Sequence, residues 1–185
     1  MRAPTALVVV DLQKGTEDPS WGPRNNPSCE DNVGALLEAW RSRGQPVVYI
    51  RHDSVEPGST LRPGLPGNDL HEVLADEPDL FVKKHVSSAF HGEPDLADWL
   101  RTPGIERLVM CGVQTNMCCE TSARVGKVLG FEVSFVLDAT YTHDRVTREG
   151  ELISADELAR VTAVNLEPEF CRVVTTSEAI EELAE

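Results

Sequence analysis

The sequence lacks long hydrophobic runs and is poor in basic residues. No stretch approaches the roughly 18 consecutive apolar residues that a membrane-spanning helix needs. The segment before the first apolar run is too short for a secretory signal peptide. Lysine and arginine number 17 against 31 aspartates and glutamates, and the net charge of −14 repels nucleic-acid phosphates and anionic membranes. We therefore expect a cytoplasmic protein with no nucleic-acid or membrane partner.

A disulfide framework, internal repeats and low-complexity tracts are also missing. The five cysteines are an odd number in a chain without a secretion signal, so we expect reduced thiols. With 185 residues, of which 41% are hydrophobic and 26% charged, the composition is that of one globular domain over residues 1–185. Composition alone therefore excludes several classes of protein but does not indicate a function.

Short apolar runs alternate with helical patterns along the chain. Strands are predicted at residues 5–11, 46–52, 81–84, 107–113, 131–138 and 172–175. The runs are continuous rather than alternating, which is typical of strands that are buried on both faces. The alternation predicts an α/β, Rossmann-like, three-layer fold: a six-stranded parallel sheet with helices on both faces.

Capping signals indicate where helices begin. Ser28 with Asp31, and Ser154 with Glu157, are spaced like capping boxes. Apolar residues at helical spacing follow the first pair, at Val33, Leu36, Leu37 and Trp40. Further helices are predicted over residues 96–100 and 117–129 and after residue 177.

Three reactive side chains follow strands of the predicted sheet. Ligands of an open α/β sheet bind beyond the carboxyl ends of its strands, where Asp11, Lys84 and Cys118 fall. The first turn of a helix and a nearby lysine would lower the pKa of the Cys118 thiol, and a carboxylate could carry its proton to a leaving amine. The set suits acyl transfer to a thiol, although each residue alone has an ordinary structural role as cap, surface charge or apolar filler.

The other four cysteines show weaker signals. Cys111 lies in an apolar strand and is expected in the core, whereas Cys29, in a polar loop, and Cys171, before a strand, are expected to be unreactive. Cys119 adjoins Cys118, and neighbouring helical residues diverge by about 100°. Only one of that pair can therefore face the strand ends.

Three motifs, in order, resemble those of the isochorismatase-like cysteine hydrolase family. Residues 112–119 (GVQTNMCC) resemble the family's G-V-x-T-x-x-C-V, in which the cysteine is the nucleophile. Residues 84–90 (KHVSSAF) resemble K-x-x-x-S-A-F, and residues 11–13 (DLQ) resemble D-x-Q. The resemblance covers residues 4–140, and it implies a catalytic triad of Asp11, Lys84 and Cys118.

The resemblance also implies the geometry that stabilises the reaction. Family members have a cis peptide at the position of Val113-Gln114. The backbone N–H groups of Gln114 and Cys118 would then bind the oxyanion of the substrate.

Departures from the family pattern narrow the chemistry. Nicotinamidases of the family hold a metal with an Asp-x-His motif and a further histidine, but here Ile50 replaces the aspartate and no histidine follows His52 until His71. The resemblance therefore implies no metal and no cofactor, and leaves His52 as a substrate contact or as a hydrogen-bonding residue at the rim. The C-terminal third loosely resembles the streptothricin-hydrolase-type amidases.

Loop residues near these motifs supply the candidates for substrate contact. Trp21 lies in the 19–23 loop, either as a pocket wall or as a surface cover, and Asn116 is favoured as the N-cap of the nucleophile helix. The full candidate set is Gln13, Trp21, His52, Phe90, Asn116 and His143.

The expected reaction is hydrolysis of a small amide or related C–N bond through a thioester at Cys118. Asp11 would carry the proton and Lys84 would stabilise the thiolate, in a homo-oligomer of two or more chains. Vinyl-ether hydrolysis by Asp11 and Lys84 is an alternative in which Cys118→Ala retains activity. A non-catalytic redox sensor that uses the adjacent thiols of Cys118 and Cys119 is another. Nucleotide binding is disfavoured because residues 11–15 contain a single glycine.

Overall fold

The computed structural model describes residues 3–184. Its main sheet has six parallel strands in the order β3-β2-β1-β4-β5-β8. These strands are β1 Thr5–Val10, β2 Val47–His52, β3 Leu80–Lys84, β4 Arg107–Val113, β5 Glu132–Tyr141 and β8 Arg172–Val174. The intervening β6 Arg145–Val146 and β7 Leu152–Ile153 form a separate antiparallel hairpin. The predicted fold class is confirmed, and the hairpin is an addition to it.

Helices cover both faces of the sheet. They are α1 Cys29–Ser42, α2 Leu96–Arg101, α3 Glu120–Val128, α4 Ala155–Leu166 and α5 Thr176–Ala184. Every residue of the central strand β1 is buried, because one apolar cluster packs on each of its faces. The apolar face predicted for α1 is buried as expected, and the Trp40 indole N–H donates to the Thr5 carbonyl at 2.8 Å. No helix within residues 3–184 is long and apolar enough to cross a membrane.

Some predicted boundaries were wrong. The fifth strand continues to Tyr141, because a register shift against β4 between Met110 and Gly112 lets pairing resume at Thr140. The last helix begins at Thr176, whose N–H and hydroxyl both donate to the Asp138 carboxylate.

The capping predictions had mixed outcomes. The Ser154 hydroxyl accepts from the Glu157 N–H at 3.2 Å, as predicted for α4. Ser28 precedes α1, but its side chain accepts no capping bond. Cys29 is fully buried as the first residue of α1 and does not lie in a polar loop.

The nucleophile helix begins earlier and in a different form than predicted. A π-helical turn, Thr115–Cys119, precedes α3 and has Gln114 as its N-cap residue. Asn116 therefore lies inside the turn, and its predicted role as N-cap was wrong. Cys118 is held in the π-helical turn, at the carboxyl end of β4.

Candidate active site

The ends of β1 and β3 carry a buried ion pair. The Lys84 ammonium donates to Asp11 Oδ2 at 2.6 Å, and both side chains are almost wholly buried. Strand β2 separates β1 from β3, but parallel strands end at the same edge, so the two residues, 73 positions apart in sequence, meet. Alternation along β3 buries Lys84 and exposes Lys83, in agreement with the motif match.

The Lys84 ammonium has two further partners. It donates to Cys118 Sγ at 3.4 Å and lies 3.2 Å from His52 Nδ1. An ammonium has three protons and no lone pair, so Asp11, Cys118 and His52 account for all three. The structure therefore brings the three predicted catalytic residues together around one cation, and adds His52 as a fourth member.

Contact with Lys84 assigns the protonation state of His52. Burial, together with the positive charge of Lys84, lowers the pKa of the imidazole. Because Lys84 can only donate, His52 Nδ1 must accept, and the proton of the neutral ring is on Nε2. His52 lines the cleft described below and can offer this N–H to a bound molecule.

The resting thiol differs from the sequence prediction. Burial, and next the negative charge of Asp11, raise the pKa of Cys118 to about 12, and the opposing effect of Lys84 is smaller. Lys84 does lower this pKa, as predicted, but the predicted net lowering was wrong because burial and Asp11 outweigh the lysine. Sequence reasoning had no measure of burial, which penalises the charged form. Cys118 is thus a neutral thiol in the free protein.

Asp11 has an oxygen available for the thiol proton. Its Oδ1 is buried and has no hydrogen-bond partner within residues 3–184. Cys118 Sγ lies within 4.8 Å of a carboxylate oxygen of Asp11. Burial alone would lower the pKa of Lys84, but the charge of Asp11 and the hydrogen bonds to Asp11 and Cys118 outweigh it and the pKa is raised. Lys84 therefore stays charged beside the thiol, and the Asp11 carboxylate lies next to both groups.

The turn that carries the thiol is anchored at Gln114. The Val113–Gln114 peptide is cis, and the Gln114 carbonyl accepts from the N–H groups of Met117 and Cys119. The side chain of Gln114 connects to two further residues: its amide lies 3.1 Å from His143 Nδ1, and its Oε1 accepts from Arg145 Nη2 at 2.8 Å.

A cleft of two chambers opens over these groups. The inner chamber, of about 250 Å³, is lined by Asp11, Thr16, Trp21, His52, Ser54, Glu56, Ser59, Leu61, Ser87, Val113, Gln114, Met117, Cys118 and Arg145. The outer chamber, of about 420 Å³, shares with it Trp21, Glu56, Ser59, Gln114 and Arg145. A larger cavity of about 500 Å³ begins at the opposite ends of β4 and β5 and contains none of the predicted site residues.

Three of the predicted contact residues line the cleft. Trp21 lines both chambers and is held by its indole N–H, which donates to Thr60 Oγ1 at 3.0 Å. His52 lines the inner chamber, and His143, whose ring lies 5.4 Å from that of Trp21, lines only the outer one. These three remain candidates for substrate contact.

Two of the predicted contact residues are structural. Gln13 is fully buried, and its side-chain amide bonds both the N–H and the carbonyl of His52. Phe90 packs in the core, where its ring stacks on Phe131 at 5.7 Å. Neither lines the cleft, and their contact with substrate stays a prediction.

Asn116 has a structural hydrogen bond in the turn. Its side-chain oxygen accepts from the Thr142 hydroxyl at 2.6 Å, which ties the nucleophile turn to the end of β5. It lines neither chamber, and its contact with substrate stays a prediction.

Sequence reasoning missed several residues that line the cleft, above all Arg145 and Glu56. Arg145 lies four residues beyond the last residue of β5, where the rule about strand ends would have selected it. Glu56 lies in the proline- and glycine-rich loop after β2, whose path the sequence does not determine.

The cluster around Lys84 does not fit a metal ion. One atom each of Asp11, His52 and Cys118 lie within 4.8 Å of one another, which is a spacing that ligands of one ion can have. The Lys84 ammonium contacts all three, so a permanent positive charge takes the space between them. His71, the next histidine, lies 3.8 Å from Glu17 and lines neither chamber.

The chain resembles known proteins over almost its whole length. Residues 5–176 match the isochorismatase domain. The isochorismatase family protein YrdC of Bacillus subtilis (strain 168) is 32% identical over 97% of this chain and 96% of its own. Streptothricin hydrolase of Streptomyces noursei is 34% identical over 78% of this chain and 57% of its own. Nicotinamidase 3 of Arabidopsis thaliana is 28% identical over 80% of this chain and 79% of its own.

Solved structures give the same result. A hydrolase of the isochorismatase family from Chromobacterium violaceum ATCC 12472 superposes with a TM-score of 0.92 at 38% identity, covering 99% of this chain and 95% of the other. A cysteine hydrolase from Pseudomonas syringae pv. phaseolicola 1448A superposes with a TM-score of 0.88 at 28% identity, covering 97% and 92%.

Proposed function

Because the chain belongs to the isochorismatase family of hydrolases, we propose that it hydrolyses the C–N bond of a small amide through a thioester at Cys118. The observation that carries the proposal is the contact of the Lys84 ammonium with Asp11, His52 and Cys118 beside the cleft. The relatives named nicotinamidase and streptothricin hydrolase support amide chemistry, and the neighbour named cysteine hydrolase supports a thiol nucleophile.

Acylation begins from the neutral thiol. Cys118 transfers its proton to Asp11 Oδ1 as Sγ attacks the amide carbonyl, and Lys84 stabilises the negative charge that develops on sulfur. The tetrahedral intermediate then collapses. Its C–N bond breaks, Asp11 returns the proton to the leaving nitrogen, and the amine departs from a thioester.

Deacylation uses the same groups. Water attacks the thioester carbonyl and gives one proton to Asp11, and the C–S bond breaks to release the carboxylic acid. The Cys118 thiolate then recovers the proton from Asp11. In both steps the backbone N–H groups of Gln114 and Cys118 would stabilise the oxyanion. No metal or cofactor takes part.

Single-turnover measurements test this mechanism. A panel of small amides is incubated with the wild-type chain, with Cys118→Ala and with Cys171→Ala, a matched control thiol buried away from the cleft. We expect Cys118→Ala to lower kcat by at least about 10³-fold, and Cys171→Ala to retain it. Acid quenching should trap the acyl group on the peptide that contains Cys118.

The alternatives predict other outcomes. Vinyl-ether hydrolysis would survive in Cys118→Ala, and full activity of that variant would overturn the thioester. A redox sensor would oxidise reversibly between Cys118 and Cys119 without hydrolysing any amide. Cys119 is fully buried in the core cluster whereas Cys118 lines the cleft, so the geometry favours the hydrolase.

A further inference from the structure

Arg145 is the cation that faces the cleft. Among the residues that the structure describes, it is the only lysine or arginine that lines either chamber, and it lines both. Lys84 lies behind its three hydrogen-bond partners and lines neither. In a chain with a net charge of −14, a guanidinium at the junction of the chambers provides a local site for an anion that the overall charge would repel.

The guanidinium of Arg145 is held in place by a neutral partner. Its Nη2 donates to Gln114 Oε1 at 2.8 Å, so the other end of that amide, Nε2, donates to His143 Nδ1. Arg145 is thereby oriented without being neutralised.

Carboxylates of the protein leave Arg145 available. Within residues 3–184, no carboxylate oxygen lies within 4.0 Å of its guanidinium. Asp144, its neighbour, instead accepts from the Ala155 N–H at 2.7 Å at the start of α4. A guanidinium presents five N–H donors, of which the bond to Gln114 uses one. The rest suit a bidentate bond to a carboxylate.

The position of Arg145 in the chamber that contains the Cys118 thiol indicates which kind of ligand the cleft suits. Arg145 bonds the side chain of Gln114, the residue whose backbone N–H is proposed to bind the oxyanion, and both residues line the inner chamber with Cys118. Glu56 lines both chambers and would repel a second anionic group. The cleft therefore suits a molecule with one carboxylate close to its amide.

We infer that Arg145 binds a carboxylate of the substrate, and that the substrates are amido acids, in which one carboxylate lies a few bonds from the scissile amide. This inference rests on the proposed amide hydrolysis, but it concerns binding and can be measured without turnover. Arg145 acts on affinity and has no part in proton transfer.

Calorimetry on Cys118→Ala tests binding alone. The probes are malonamate, succinamate and glutaramate, each paired with the uncharged diamide of the same length. We expect at least one acid to bind about tenfold or more tightly than its diamide, and to lose this preference in Cys118→Ala/Arg145→Ala. Arg145→Lys in the same background should keep part of it, because a lysine offers charge without the bidentate geometry.

Arg148→Ala is the matched control. Arg148 is exposed in the connection between β6, which carries Arg145, and β7. It lines neither chamber, so the preference for the acid should survive its removal. If no acid in the series binds more tightly than its diamide, or if the preference persists without Arg145, the inference is overturned.

Kinetics of the otherwise wild-type chain separate the inference from the proposed function. We expect Arg145→Ala to raise KM for the preferred amido acid about tenfold or more relative to KM for its diamide. Hydrolysis of both probes with equal KM would leave the proposed function standing and overturn the carboxylate site. If an acid binds tightly through Arg145 but the chain hydrolyses no amide, the carboxylate site stands and the proposed function is overturned.

Discussion

At the scale of single residues, the negative charge of Asp11 disfavours the resting thiolate of Cys118, although the proposed hydrolysis uses this carboxylate. Burial and this charge hold the thiol pKa at about 12, while the orphan Oδ1 is the proposed proton acceptor. The Asp11 carboxylate that disfavours the resting thiolate is thus also the group to which the proposed hydrolysis transfers the thiol proton.

Asp11→Asn should therefore speed alkylation of Cys118 while abolishing hydrolysis. Removing the negative charge and keeping Lys84 lowers the thiol pKa, and each unit gives about tenfold more thiolate at pH 8. Iodoacetamide labelling, read by mass spectrometry with Cys171 as the internal reference, measures this effect. Slower labelling of Cys118 in Asp11→Asn would show that the carboxylate activates the resting thiol and would contradict the prediction.

The ion pair between Asp11 and Lys84 should also dominate local stability. Lys84→Met leaves a buried, uncompensated carboxylate, which costs about 3–5 kcal/mol. In Asp11→Asn/Lys84→Met neither charge remains, and we expect most of that loss to be recovered. Urea unfolding of the two single variants and the double variant gives the coupling free energy. A double variant no more stable than Lys84→Met would disprove the coupling.

His52 should make the protein sensitive to acid. Its pKa is lowered in the folded state by burial and by Lys84, so between the folded and the unfolded pKa the unfolded chain binds more protons. The stability that neutral His52 contributes is therefore complete above about pH 6.5, the unfolded value, and is lost as the pH falls below it.

Comparison with His52→Asn isolates this contribution. Asparagine can still accept from Lys84 but does not titrate, so the variant should lose less unfolding free energy between pH 7 and pH 5 than the wild-type chain. Equal losses in the two proteins, measured by urea unfolding, would rule out His52 as the titrating group.

At the scale of elements, the close approach of β1 and β4 sets the geometry next to the thiol. Gly112 has a φ of 120°, and a Cβ built there would lie 2.0 Å from the Val10 carbonyl oxygen. The same residue ends the register shift that lets β5 run on to Tyr141. The bulge and the glycine together bring β4, β5 and the nucleophile turn into contact.

Gly112→Ala should therefore destabilise far more than an ordinary glycine substitution. Gly130→Ala is the matched control, because Gly130 also has a positive φ, of 96°, but has open space around it. We expect Gly130→Ala to lose about 1–2 kcal/mol of unfolding free energy, because only its backbone conformation is unfavourable. Gly112→Ala should lose at least about 3 kcal/mol, because a clash with the backbone is added. Thermal unfolding measures both, and equal losses would mean that the strands can separate freely.

At the scale of the whole molecule, apolar side chains remain exposed on the C-terminal part. Val146 and Leu152 on the β6–β7 hairpin and Val161 and Val164 on α4 are all at least 44% exposed. Apolar patches that are contiguous on the surface are typical of protein contact sites. The predicted homo-oligomer remains a prediction, and this surface is where we expect it to form.

Sedimentation velocity tests the oligomer. We expect a mass at least twice the 20.3 kDa of one chain, and a shift toward monomer in Val164→Asp. Val128→Asp is the control, since Val128 is equally exposed but lies on α3. A monomeric wild-type chain would refute the prediction.

Much of this protein can be predicted from sequence because some of its signals are local. Continuous β-branched runs specify the buried strands, and helical spacing specifies the α1 face around Trp40. The ends of the predicted strands and the resemblance of three motifs to the family indicated Asp11, Lys84 and Cys118, since a parallel sheet brings the ends of its strands to one edge. These features depend on the order of residues along the chain, which the sequence states directly.

Tertiary structure decided the features that depend on distance and burial. The pKa of Cys118, the neutral tautomer of His52 and the position of Arg145 follow from neighbours 31 or more residues away in sequence. Phe90 is in the core and not in the cleft for the same reason. Electrostatic and packing energies fall steeply with separation in space, and the sequence records only separation along the chain.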